Sequence, residues 1–268
     1  MALPTFDYIR PTDLAAARDA FAEAGDARYL AGGQTLIPVM KQRLSQPAAV
    51  IDLSGIAGLK GISVAEGMVT IGAMTSHAEV ATSREVQAQI PALAHLAGMI
   101  GDPQVRNRGT IGGSLANNDP SADYPAAVLG LGATIHTDSR AIPADEFFDG
   151  LFTTSLTDGE VIRSIAFPVP ARAAYVKFRH PASRFALVGV MVSEGQTGVR
   201  VAATGAGASG VFRVAEMEAA LAKSFAVTAL DGITVSADDL IVDMHASTAY
   251  RANLVAVLAR RAVAEAVG

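Results

Sequence analysis

The sequence predicts an α+β protein made of three consecutive units, and three patterns carry this prediction. Up to about residue 55, helix-type and strand-type patterns alternate as they do in a small α/β unit. Residues 56–168 then hold short strands and short helices, and Pro168-Val169-Pro170 interrupts the pattern. Residues 169–268 show strand-like runs at meander spacing and two helices. We therefore predict units over 1–55, 56–168 and 169–268.

The individual elements follow from caps and periodicity. Thr12 or Asp13 caps a first helix that Gly25 ends, and Thr35 is the predicted N-cap of a second. Ser76 opens a capping-box pattern and starts a third. Other helices are predicted to begin at Pro91 and to span 124–131, 214–222 and 249–267. Strands are predicted over 28–31, 50–53, 62–64, 69–72, 134–137, 161–167, 174–179, 186–193 and 199–203.

The amino-acid composition limits the cofactors, metal sites and partners that we expect for this chain. The chain has no cysteine and five widely spaced histidines, so it offers no thiolate for an iron–sulfur cluster and we expect no metal site. Its net charge of −5, without a basic run, disfavours nucleic acid as a partner. No apolar run approaches the ~18 residues of a membrane span and the N-terminus lacks a signal-peptide pattern, so we expect a cytoplasmic protein without a transmembrane segment. Redox chemistry would have to come from a bound organic cofactor.

Two glycine pairs carry the main functional signal. Gly32-Gly33 follows an apolar strand and precedes a helix. Gly112-Gly113 follows the short β-prone entry Thr110-Ile111 and precedes a small-residue loop that leads to Asp123. Paired glycines let successive backbone N–H groups face one point, so two such turns suit a ligand with two adjacent phosphates, a dinucleotide. The alternative is that both are ordinary turns in a chain with 25 glycines.

Three further motifs are weaker. Arg106 and Arg108 precede the second glycine pair, where they either neutralise phosphate or lie in a solvated loop. Gly205 to Gly210 matches G-x-G-x-x-G, but β-prone residues follow it instead of a helix, so we predict a hairpin or connecting loop. Gly112 to Ala116 is a near miss to the nucleophile elbow G-x-S-x-G without its strand–turn–helix context, which disfavours a hydrolase.

Three ordered motifs resemble a known family. Residues 31–38 (Ala-Gly-Gly-Gln-Thr-Leu-Ile-Pro), 102–107 (Asp-Pro-Gln-Val-Arg-Asn) and 109–123 are similar to those of the FAD-binding subunit of molybdenum hydroxylases. The resemblance covers the whole chain, and it is strongest to the medium subunit of aerobic carbon monoxide dehydrogenase and extends to the FAD domain of xanthine dehydrogenase. It implies FAD as the cofactor and two FAD-binding subdomains of the vanillyl-alcohol-oxidase/PCMH type, over 1–55 and 56–168. A C-terminal α+β domain over 169–268, with a three-stranded antiparallel sheet and helices, completes the implied fold.

The same resemblance implies an electron-transfer role. A large molybdopterin-containing subunit would hydroxylate the substrate, and a small subunit would hold two [2Fe–2S] clusters. This chain would take electrons onto FAD and pass them to NAD, a quinone or another external acceptor, with no catalytic residue beyond the flavin. Two alternatives stay open, namely a self-contained FAD oxidoreductase of the vanillyl-alcohol-oxidase-like superfamily and a cofactor-free interaction module.

Residue-by-residue correspondence with the family also implies cofactor-binding positions. In the two glycine motifs they are Leu30, Ala31, Gly32, Gly33, Gln34, Thr35, Leu36, Ile37, Thr110, Ile111, Gly112, Gly113 and Ser114. Outside them they are Ile100, Asp123, Ile162, Lys177 and Phe185. Three positions depart from the common pattern, since Gln34 replaces His, Ser114 replaces Asn, and Phe185 replaces a tyrosine that lies against the isoalloxazine ring. The alternative for Phe185 is a core aromatic on a strand.

Overall fold

The N-terminal unit is a three-stranded parallel sheet in a computed structural model that describes residues 2–196 and 198–268. Its strands are β1 (Asp7–Ile9), β2 (Ala27–Leu30) and β3 (Ala49–Asp52), in the order β1-β3-β2. Its helices are α1 (Leu14–Ala24) and α2 (Leu36–Lys41). The Asp13 side chain caps α1 and Gly25 ends it at φ 68°, as predicted. Strand β2 lies at the sheet edge and leads directly into the first glycine pair.

The second unit is a five-stranded antiparallel sheet covered by short helices. The strands are β4 (Ile62–Ala65), β5 (Met68–Gly72), β6 (Thr134–Thr137), β7 (Ala141–Pro143) and β8 (Ile162–Pro168), in the order β4-β5-β8-β6-β7. The helices are α3 (His77–Thr82), α4 (Arg84–Gln89), α5 (Pro91–Gly98), α6 (Pro103–Arg108), α7 (Ile111–Asn117) and α8 (Tyr124–Gly130). Alternate residues of the central strands, such as Ile71, Ile135 and Ile165, are fully buried in its core.

The third unit is an antiparallel sheet of four strands, one more than predicted. The strands are β9 (Arg172–Arg179), β10 (Ala186–Gly195), β11 (Gly198–Gly207) and β12 (Gly210–Arg213), in the order β12-β11-β10-β9. The helices are α9 (Ala215–Lys223) and α10 (Thr248–Val267). Gly207 pairs with Gly210 across a two-residue turn, so the G-x-G-x-x-G stretch forms a hairpin and opens no helix. The added strand β12 is the second arm of this hairpin.

The buried apolar residues form three clusters, one beneath each sheet. Tyr175, Met191 and Ala202 of the third sheet belong to the core of the second unit, so these two units share packing. The domain boundaries at residues 55 and 168 stay predictions. In the described ranges 2–196 and 198–268, no helix is long and apolar enough to cross a membrane.

Candidate functional site

The first glycine pair forms an open loop between β2 and α2. Gly33 has φ 72°, a conformation that glycine adopts without strain. Within the described residues, the backbone N–H groups of 32–36 have no hydrogen-bond acceptor, whereas Ile37 N–H already donates to the Gly33 carbonyl at 3.2 Å. Thr35 stands at the predicted N-cap, but its side chain makes no capping hydrogen bond. The loop therefore has consecutive backbone N–H groups without an acceptor, and such groups can bind an anion.

The second glycine pair does not form the turn and loop that we predicted. Thr110 is the N-cap of α7, and its Oγ1 accepts the N–H of Gly113 at 3.1 Å, so both glycines lie in the first turn of a helix. The other early N–H groups are also used, because Ile111 donates to the Thr75 carbonyl at 3.1 Å and Gly112 to the Ala73 carbonyl at 2.8 Å. The backbone N–H groups of this motif are therefore already hydrogen-bonded within the protein. A Cβ on Gly112 would lie 2.5 Å from the Cβ of Ala73, so glycine here permits close packing.

The two glycine motifs contact each other directly. A Cβ on Gly32 would lie 2.0 Å from the carbonyl oxygen of Arg108, and one on Gly113 would lie 3.3 Å from the Cβ of Ala31. Glycine is required at position 32 because the neighbouring atoms are backbone and have nowhere to move. The first glycine loop therefore packs against the segment that leads into α7 and against Gly113.

Asp123 and Lys177 are also brought together, in a buried ion pair. The Lys177 ammonium donates to Asp123 Oδ2 at 2.8 Å, and their side chains are 0% and 4% exposed. The Tyr175 hydroxyl donates to the other carboxylate oxygen at 2.6 Å. Burial raises the pKa of Asp123, while Lys177 and Tyr175 both favour its charged form. We assign a charged carboxylate, since both of its oxygens face donors.

Ile100 lies beside this pair. Lys177 Nζ is 3.4 Å from the carbonyl of Met99, the residue before Ile100, and Arg106 donates to the Ile100 carbonyl at 3.0 Å. Arg106 is thus half-buried on α6 and engaged with backbone, and it does not lie in a solvated loop. Arg108 is exposed at the end of the same helix. Only Arg108 keeps the solvent-facing charge that phosphate neutralisation requires.

Ile162 and Phe185 make none of the contacts described above. Ile162 is 6% exposed at the start of β8 and packs into the core of the second unit. Phe185 is 48% exposed and sits in the turn between β9 and β10, so it is not a core aromatic. Its carbonyl accepts the N–H of His180 at 2.9 Å, which closes that turn. Contact of Phe185 with a flavin remains a prediction.

Sequence reasoning missed two side chains at the site. Tyr175 stands two residues before Lys177, and period-two alternation along a strand puts both on one face, so this signal was available. His77 is 5% exposed, and a Cβ on Gly109 would lie 2.5 Å from its Nε2. Burial, with a smaller contribution from Arg106, lowers the pKa of His77 from 6.5 to about 4. The ring is therefore neutral near pH 7, directly beneath the backbone that contacts Gly32.

Comparison with known proteins decides the family. Residues 4–170 match the family described as the FAD binding domain in molybdopterin dehydrogenase. The chain belongs to that family. FAD is accordingly the cofactor of this oxidoreductase subunit, as the family resemblance implied. The N–H groups of residues 32–36 fit the pyrophosphate of FAD, because they have no acceptor within the described residues and can donate to an anion.

Full-length relatives support the assignment. The chain is 33% identical to the nicotine 6-hydroxylase medium subunit of Paenarthrobacter nicotinovorans, over 99% of both chains. It is 34% identical to the carbon monoxide dehydrogenase medium chain of Hydrogenophaga pseudoflava, over 97% of this chain and 96% of the relative. The solved carbon monoxide dehydrogenase of that organism superposes with a TM-score of 0.89 at 33% identity, covering 100% of this chain and 99% of the other. The FAD subunit thus has the vanillyl-alcohol-oxidase/PCMH-type fold predicted for it.

Proposed function

We propose that this chain is the electron-transfer subunit of a molybdenum hydroxylase complex. It receives electrons from [2Fe–2S] clusters of a small partner subunit and passes them from FAD to an external acceptor, NAD or a quinone. A large molybdopterin-containing subunit carries the substrate chemistry. The observation that carries this proposal is that the backbone N–H groups of residues 32–36 have no acceptor within the described residues. The chain's full-length relatives are medium subunits, which supports the same role.

The glycine loop supplies binding in this proposal. The N–H groups of residues 32–36 hold the pyrophosphate, and the exposed guanidinium of Arg108 adds positive charge nearby. Gly32 packs against the backbone of Arg108 and Gly109, and Gly113 of α7 lies next to the Ala31 side chain, so the start of α7 packs against this loop.

Asp123, Lys177, Ile100 and Phe185 supply orientation. The buried pair of Asp123 and Lys177 fixes one end of the site, next to the carbonyl of Met99 that precedes Ile100. The exposed ring of Phe185 gives an apolar face at the border of the C-terminal sheet. FAD, when bound, supplies the capacity to take up electrons singly or in pairs, which suits the outlet of an electron-transfer chain.

The proposal places the iron–sulfur clusters and the molybdenum centre outside the residues of this sequence. Iron–sulfur clusters are held by cysteine thiolates, and the chain contains no cysteine. Hydroxylation with oxygen from water also requires a metal centre that activates water. We therefore place a one-electron relay and a catalytic metal on other polypeptides or domains.

The test compares the isolated chain, replete with FAD, with the complex copurified from its native source. We expect the isolated chain at most to exchange electrons between artificial donors and acceptors. The complex should oxidise its substrate and contain a molybdopterin subunit and a cluster subunit. Full substrate turnover by the isolated chain, with metal analysis showing neither molybdenum nor iron, would instead establish a self-contained FAD oxidoreductase.

A further inference from the structure

The segment that carries Asp123 is tied to the C-terminal sheet by a set of hydrogen bonds. This segment, residues 120–123, follows α7 and precedes α8. The N–H of Gly205 donates to the Pro120 carbonyl at 2.8 Å, and the Thr204 hydroxyl lies 2.7 Å from the Ala122 carbonyl. The N–H of Ala186 donates to the Ser121 carbonyl at 3.4 Å. Three strands of the third unit, β9, β10 and β11, thus hold four consecutive residues of the second, since Tyr175 and Lys177 bind Asp123 itself.

Tyr175 occupies a place that is prepared for its hydroxyl. A Cβ on Gly189 of β10, the residue paired with Lys177, would lie 2.2 Å from the Tyr175 hydroxyl oxygen. Glycine at 189 therefore leaves the space in which the hydroxyl reaches Asp123. Tyr175 is 1% exposed and Asp123 is 4% exposed, so water does not compete for this hydrogen bond.

The far side of the same sheet is pinned by α10. The Arg251 guanidinium donates to the carbonyls of Leu187 at 2.8 Å and of Gly205 at 2.6 Å, and it pairs with Asp243 at 2.7 Å. These carbonyls belong to the strands that hold residues 120–123. The C-terminal helix is therefore hydrogen-bonded to strands that themselves bind residues 120–122.

We propose that Tyr175 is a positioning residue for the cofactor, through which the C-terminal sheet fixes the Asp123–Lys177 pair. This inference rests on the proposed function, because it takes that pair to border FAD. The hydroxyl satisfies Asp123 Oδ1, and the Lys177 ammonium satisfies Oδ2. Without the hydroxyl, one carboxylate oxygen stays buried and unpaired, which favours proton uptake by the pair and the loss of the fixed charge beside the cofactor.

The matched variants are Tyr175→Phe and Ser193→Ala. Tyr175→Phe keeps the ring and removes only the hydroxyl. The Ser193 hydroxyl donates to the Gly130 carbonyl at 2.6 Å, across the same contact between units but at the opposite end of α8. Both changes remove one buried hydrogen bond between the same two units. Only Tyr175→Phe removes one from Asp123.

The experiment measures three quantities on the full chain: melting temperature, FAD dissociation constant by flavin fluorescence, and the flavin absorbance spectrum as a function of pH. We expect both variants to lower the melting temperature similarly. Tyr175→Phe alone should weaken FAD binding about tenfold, the cost of one hydrogen bond to a charged group, and make the flavin spectrum pH-dependent where that of the wild type is constant.

Two results would overturn the inference. One is that both variants change FAD affinity in proportion to their loss of stability, which is a purely structural effect. The other is an unaltered dissociation constant and spectrum in Tyr175→Phe. If the wild-type chain binds FAD and these results are found, the positioning role fails while the proposed function stands. If the wild-type chain binds no FAD, the proposed function fails first.

Discussion

His77 gives a prediction whose magnitude follows from the structure. The imidazole is buried beneath Gly109, and its Nδ1 has no hydrogen-bond partner within the described residues. Its pKa falls from 6.5 to about 4 on folding, first through burial and second through the charge of Arg106. Protonating this ring inside the fold places an unpaired charge close to a guanidinium. Replacement by Gln removes the titration.

The sign of the effect follows from proton binding. Between pH 6.5 and about 4 the unfolded chain binds a proton at His77 that the folded chain does not bind. The free energy of unfolding therefore falls as pH falls through this window, and the full contribution is retained above pH 6.5. A shift of this size corresponds to a loss of about 3 kcal/mol, at 1.36 kcal/mol for each pKa unit.

The assay is urea unfolding at a series of pH values from 8 to 4, at fixed FAD concentration. Other groups titrate in this range, so the measured quantity is the difference in pH dependence between the wild type and His77→Gln. We expect the variant to lose about 3 kcal/mol less than the wild type over the window. His95→Gln, at an exposed histidine on α5, is the matched control and should behave as the wild type. The same pH dependence in wild type and His77→Gln would refute the reasoning.

Two further predictions concern the cofactor site. The Gly32→Ala variant should lose FAD and be destabilised by more than ~1 kcal/mol, because its Cβ would lie 2.0 Å from the Arg108 carbonyl oxygen. Wild-type flavin content and melting temperature in this variant would contradict the contact between the two motifs. Phe185→Ala should change flavin fluorescence and reduction potential while FAD stays bound, since an aromatic contact adds only ~1 kcal/mol beyond area burial. An unchanged flavin spectrum would remove Phe185 from the site.

Local signals predicted most of the secondary structure. The capping box of Ser76 and Glu79 is formed as its spacing predicted, with the Glu79 carboxylate accepting the Ser76 N–H at 3.0 Å. The long C-terminal helix and the meander of β9, β10 and β11 were also predicted correctly. Caps and period-two patterns depend on neighbouring residues, so one sequence is enough to find them.

The errors have a common physical cause, which is that tertiary packing overrides local preference. Gly112-Gly113 was predicted as a turn whose N–H groups face a ligand, yet packing against Ala73 and the Thr110 cap place the pair in α7. The short strand β12 exists because it pairs with β11. These contacts are invisible to local propensity.

The residues of the site, too, could be predicted from the sequence only in part. Its glycine motifs were identified from sequence, because glycine pairs and the family resemblance mark them. The hydrogen bond of Tyr175 to Asp123 joins residues 52 positions apart, and no local pattern brings those two residues together. Only the structure shows that the backbone N–H groups of residues 32–36 lack an acceptor whereas those at the start of α7 are hydrogen-bonded.

The central claim is that residues 32–36 hold a pyrophosphate. Its most direct test measures the affinity of the apoprotein for FAD and for FMN, in the wild type and in the variants Gly33→Ala and Gly67→Ala. The two glycines have φ 72° and φ 74°, so alanine strains both backbones alike, and a Cβ on Gly67 meets no atom within 4 Å. The account predicts that the wild type binds FAD at least about tenfold more tightly than FMN, and that only Gly33→Ala loses that preference. Equal affinity for FAD and FMN in the wild type, or full FAD affinity in Gly33→Ala, would contradict it.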